Sequence, residues 1–195
     1  MANIANLNIQ PQEDLNLDSY ALSGEGKPFP PKGRYVLQTP SRLPENAFKP
    51  NAAGTALTAQ IDPVIVDGPG GLGVGRELRY TRVSAKNYQR GSKMVSQLGD
   101  YLKACGITGV VPGDPQKQAD LIESTVGRTF KANLDWRLYG KKSDGSVVEL
   151  KGMENFPKKE DGTFQPFIEV DGETDDTGRP KRFWANLEIT NFVSE

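Results

Sequence analysis

The sequence predicts a mainly β fold with a minor α part, on three observations. Five β-like segments fall at about 33–39, 56–66, 77–84, 129–139 and 183–192, with helical stretches between the third and fourth. With 21 Gly and 14 Pro in 195 residues, the composition suits a loop-rich β protein better than a helical bundle. The last two segments alternate apolar and polar residues with a strand's period of two. This element order is that of the five-stranded OB-fold barrel, with helices between strands 3 and 4 and, here, a long β-ribbon insertion between strands 4 and 5.

Residues 1–31 are rich in Asn, Gln, Asp, Gly and Pro, have no sustained period, and are expected to form a flexible N-terminal arm. Residues 32–195 then make the OB-fold domain, with 140–182 as an extended loop insertion. Lys27-Pro28-Phe29-Pro30-Pro31-Lys32 is a stiff lead-in to the first strand, Tyr35-Val36-Leu37. A loop punctuated by Pro40, Pro44 and Pro50 follows. Leu57, Ala59 and Ile61 alternate with Thr58, Gln60 and Asp62 as a half-buried strand that Pro63 bulges or ends. Gly68, Gly70 and Gly73 fit a G-x-G-x-x-G pattern, but a strand is expected next, so no helix N-terminus waits for a pyrophosphate. In the third strand Tyr80 shares a face with Leu78, which makes it a core candidate as well as a surface aromatic.

Ser92 is expected to cap a helix whose apolar face is Met94, Val95, Leu98, Tyr101, Leu102 and Cys105, closed by Gly106. Asp114-Pro115 opens a second helix that carries Ala119 and Ile122 and ends at Gly127. Cys105 lies on the apolar stripe and reads as a buried structural thiol. In the fourth strand Phe130, Ala132, Leu134, Trp136 and Leu138 share one face; Lys131, Asn133, Asp135, Arg137 and Tyr139 share the other. The fifth sets Phe183, Ala185, Leu187 and Ile189 against Trp184, Asn186, Glu188 and Thr190. Trp136 belongs to the core. The insertion should be a folded ribbon with turns at Asp144-Gly145, Asp161-Gly162 and Asp171-Gly172.

Composition narrows the chemistry. There is no histidine, so the commonest general base and transition-metal ligand are missing, and a single cysteine argues against both a disulfide framework and a zinc site. No catalytic set, metal site or cofactor is expected. No apolar run approaches the ~20 residues that span a bilayer, and the N-terminus lacks a signal pattern, so neither membrane insertion nor export is expected. The acidic stretch 169–176 lacks the spacing of a calcium loop and is followed at once by Arg179, Lys181 and Arg182.

A net charge of −1 hides polarity along the chain. Residues 76–103 hold seven basic and two acidic side chains, 128–151 six and three, while 154–176 hold eight acids against two lysines. Aromatics are interleaved with the basic residues. Lysine and arginine that follow phosphates, with rings that stack on bases, make a single-strand-binding surface. The candidate nucleic-acid-binding residues are Arg79, Arg82, Lys86, Tyr88, Arg90, Lys131, Arg137, Tyr139, Lys141 and Trp184. The alternative for each is a solvated strand face.

The chain resembles the OB-fold single-stranded DNA-binding proteins of bacteriophages and prophages. The resemblance rests on Pro31-Lys32-Gly33-Arg34-Tyr35, Gly127-Arg128-Thr129-Phe130, Lys151-Gly152-Met153-Glu154-Asn155-Phe156-Pro157 and Ala185-Asn186-Leu187-Glu188-Ile189-Thr190. It implies a non-enzymatic protein that binds single-stranded DNA without sequence preference, acts in phage-type DNA replication or recombination, and works in the cytoplasm of a bacterial host. Replication or recombination proteins, and further copies of the chain, are the protein partners in view. Some similar sequences carry cysteine pairs in the insertion that suggest a zinc knuckle; this chain has none there. A protein-protein interaction or assembly module is the alternative, and a nuclease the least favoured.

Overall fold

The computed structural model describes residues 29–194. Its longest elements are the two strands with the cleanest alternation, here β8 (Thr129–Lys141) and β11 (Pro180–Val193), paired antiparallel. Along β8 every second residue from Phe130 to Gly140 is buried. Fully burying each Leu or Phe of such a row contributes about 1.5–3 kcal/mol, so β8 is the spine of the core.

Around that spine a six-stranded antiparallel sheet runs in the order β10 (Phe167–Thr174), β11, β8, β1 (Gly33–Gln38), β4 (Val64–Asp67). The far end of β8 takes β9 (Val147–Lys151) on the edge that β1 occupies at the near end. A second sheet joins β2 (Phe48–Pro50), β3 (Leu57–Gln60) and β5 (Arg82–Ser84). A separate hairpin pairs β6 (Tyr88–Arg90) with β7 (Lys93–Val95). The chain passes from one sheet to the other at Ile61-Asp62-Pro63, where Asp62 has φ 31° and the ladder stops. Pro63, which has no N–H to give, sits at the expected break.

The five-stranded barrel expected from the order of elements is not closed. Among the described residues β5 and β11 do not pair. Instead α1 (Gln97–Ala104) packs against β5, β8 and β11 and covers the gap. Leu98, Tyr101 and Leu102 are the buried face of α1; α2 (Pro115–Glu123), capped by Asp114 accepting from the Lys117 N–H at 2.9 Å, lies against β3. The Tyr101 hydroxyl bridges Thr39 at 2.8 Å and Thr125 at 2.6 Å in the interior, which satisfies all three groups. Cys105 is buried, and burial pushes its thiol up to about 11.

Several expectations are corrected. The first helix is capped by Ser96, not Ser92, and 93–95 form a strand, so Met94 is exposed. The cause is local: Gly91, at φ 62°, and Ser92 make a two-residue hairpin turn between Arg90 and Lys93. The third strand covers only Arg82–Ser84, because 78–81 form a turn with Tyr80 in the left-handed region at φ 63°. Tyr80 is 75% exposed and is no part of the core. Asp171-Gly172 lies within β10, where Gly172 has φ 77° and the register shifts; the reversal comes at Asp175–Gly178.

The turns at Asp144-Gly145 and Asp161-Gly162 form as expected, and the insertion is folded onto the core. Phe164 and Phe156 pack with Trp136 and Phe29, with ring centroids 4.8–5.5 Å apart, and the Trp136 indole N–H donates to the Pro30 carbonyl at 2.8 Å. Phe29 and Pro30 are therefore part of the packed structure, and the Pro31 carbonyl accepts from the Tyr35 hydroxyl; residues 1–28 of the expected arm lie outside the described residues. At Gly140 a Cβ would fall 2.2 Å from the Phe183 ring, so glycine leaves the room in which that ring lies against β8.

Candidate nucleic-acid interface

The structure divides the ten candidate residues between two surfaces. Arg79, Arg82, Lys86, Tyr88 and Arg90 belong to the side that runs from the 78–81 turn through β5 into the β6–β7 hairpin. Lys131, Arg137, Tyr139, Lys141 and Trp184 face outward from β8 and β11. Around the sheets β5 and β8 are separated by the β3–β4 chain and by β1, so the two sets make no single stripe.

The first surface is electrostatically open. Residues 82–95 contain Arg82, Lys86, Arg90 and Lys93 and no acid. None of the four forms an ion pair among the described residues. Arg82 points outward from β5, opposite Gln60, and lines a cleft of about 230 Å3 with Lys49 and Thr58. Beyond it the hairpin is exposed almost throughout, from Tyr88 (44% exposed) to Met94. It makes a finger that carries cations and one aromatic ring into solvent. Arg79 stands apart, held by Glu77 at 2.9 Å.

The second surface has rings but little free charge. Trp184, 53% exposed, stacks at a tilt on Phe167 with centroids 4.9 Å apart, and the Arg182 guanidinium lies 4.4 Å above the Phe167 ring. Tyr139 is 55% exposed. Arg137 is flanked by carboxylates, 2.7 Å from Glu149 and 3.4 Å from Glu188. Hydrogen bonds from Lys151 and then Arg137 hold the Glu149 carboxyl below its usual range. A phosphate approaching Arg137 would compete with two carboxylates already paired to it. Lys141 ends the outward row of β8 at its exposed tip, and Lys131, half-buried, lines a cavity of about 420 Å3 with Lys103 and Thr129.

The acidic stretch is tied down by its own neighbours. Arg182 grips Glu169 at 2.8 Å, and Lys181 grips Glu173 at 2.8 Å, which with the Ser143 backbone N–H holds the Glu173 carboxyl down to about 2. No group of three or more His, Cys, Asp or Glu among the described residues could hold a metal ion. No helix among them is long and apolar enough to cross a membrane.

Sequence reasoning missed Lys93 and Lys49 as members of the basic surface and Phe167 as the support of Trp184. The Gly-Ser pair between Arg90 and Lys93 was the available signal for the hairpin. Comparison with protein-family models, with curated proteins and with solved structures gives no match.

Proposed function

We propose that the chain binds single-stranded DNA without sequence preference and without catalysis, with phosphates tracking the β5 side and the β6–β7 finger. The observation that carries this reading is the acid-free segment 82–95, folded so that its four cations have no ion-pair partner among the described residues. Such a surface favours a flexible polyanion, and Tyr88 within it and Trp184 and Tyr139 on the other face offer rings for unpaired bases. The strand order β5, β3–β4, β1, β8, β11 supports an OB-type barrel opened between its third and fifth strands, a fold that binds oligonucleotides. A role in phage-type replication or recombination follows from the resemblance alone.

Fluorescence titration with oligo-dT at two salt concentrations tests the reading. Binding should weaken steeply with salt, with a slope of about 0.7 log units per log salt for each phosphate neutralised. Trp184 is the exposed indole and Trp136 the buried one, so quenching should be partial. Absence of any salt-sensitive binding removes the reading.

The assembly-module reading draws on a different feature, an apolar groove of about 370 Å3 between α1 and α2 beside Val110, which is 90% exposed. Self-association that Val110→Asp abolishes, in a protein with no affinity for oligo-dT, would favour it.

A further inference from the structure

We infer that Tyr80 and Arg42 form a capture site for one unpaired base and its phosphate, an inference that rests on the single-strand reading above. Tyr80 occupies a turn position where glycine is the usual residue, with φ 63°, and its side chain is 75% exposed. A bulky residue in the left-handed region is an outlier, kept only where the surroundings over-determine it. Here they do. The Thr81 N–H donates to Asp62 at 3.0 Å, the Thr81 hydroxyl donates to the Leu78 carbonyl at 2.6 Å, and the Ile61 N–H donates to the Thr81 carbonyl at 2.9 Å. Asp62 is itself buried and accepts from Gln60 at 2.6 Å. The ring is thus held outward by a fixed backbone, which burial of the ring does not explain.

In front of it lies a cleft of about 420 Å3 walled by Pro40, Arg42, Pro44, Asp62, Glu77, Arg79 and Tyr80. That volume falls within the ~300–1,000 Å3 of ligand clefts. The prolines stiffen the wall, so little order is lost on binding. Glu77 is engaged by Arg79 at 2.9 Å, and Arg42 has no ion pair among the described residues. The four charges of the cleft cancel formally, but both carboxylates are engaged, Glu77 by Arg79 and Asp62 by the Gln60 amide and the Thr81 N–H. That leaves the Arg42 guanidinium to meet a phosphate and the exposed Tyr80 ring to meet its base. The site also continues the proposed path, because Arg82 follows Tyr80 by two residues, at the start of β5. No sequence pattern pointed to Arg42.

Tyr80→Gly separates binding from folding, because glycine accepts the left-handed backbone without penalty. Its melting temperature should equal or exceed that of the wild type, while its affinity for labelled oligo-dT at fixed salt should fall about five- to 150-fold, the loss of one stacked base. Tyr80→Phe should stay within about twofold, and Arg42→Gln should lower the salt slope by about 0.7. If Tyr80→Gly binds like the wild type while the wild type keeps its salt-sensitive affinity, the capture site is wrong and the single-strand reading stands. If the wild type itself does not bind oligo-dT, both fall.

Discussion

Replacing Arg82, Lys86, Arg90 and Lys93 by glutamine removes every cation of segment 82–95 and leaves its backbone pairing in place. If each contacts one phosphate, the slope of log affinity against log salt should flatten by about 2.8, four times the single-strand increment of about 0.7. Between about 50 and 200 mM salt those four contacts account for roughly 1.7 log units, or about fiftyfold in affinity. The hairpin packs against little else, so stability should stay within about 0.5 kcal/mol of the wild type. Arg137→Gln is the matched control. Its guanidinium is already shared by Glu149 and Glu188, so losing it should leave the slope unchanged. Anisotropy titration of labelled oligo-dT across a salt series reads both numbers. A slope that survives the fourfold substitution, or that collapses with Arg137→Gln, refutes the assignment of phosphates to the finger.

The interior makes its own predictions. Leu138→Ala, at a fully buried position on β8, should lose about 2–5 kcal/mol and lower the melting temperature by about 4–20 °C, read by thermal denaturation. Tyr101→Phe removes the hydroxyl that joins Thr39 and Thr125 and should cost about 1–3 kcal/mol in urea denaturation; a loss near zero would mean that those threonines find other partners. The Cys105 thiol, pushed up to about 11 from an ordinary 9.0, should react slowly with a thiol reagent at neutral pH and rapidly once the protein is unfolded. Because its folded value is raised, its contribution to stability is present in full below pH 9.0 and declines as pH climbs towards about 11. A thiol equally reactive in native and unfolded protein would contradict that burial.

The parts of the fold legible in the sequence were those where one physical signal acts alone. The period-two rows of β8 and β11 fixed both strands and their buried faces, and Asp114-Pro115 marked the start of α2, because a cap and a proline at the first helical turn have few other uses. Errors came where two signals competed. Ser92 could cap a helix or close a hairpin turn with Gly91, and the tertiary setting chose the turn. Tyr80 alternated with Leu78 as a strand residue should, yet Asp62 and Thr81 hold the backbone in a turn there. Closure of the barrel was not legible at all, since it depends on whether β5 and β11 meet or admit α1 between them. For the candidate site, the density of basic residues along the chain was readable, but not their pairing. Arg137 and Arg82 look alike in sequence, and only the fold brings two glutamates to the first and none to the second.

Amide hydrogen exchange, measured with and without saturating oligo-dT, tests the central claim most directly. Slowed exchange concentrated in residues 80–95, with the α1–α2 groove unchanged, is the predicted result. Slowing confined to 107–121, or no change anywhere in 80–95, would contradict it.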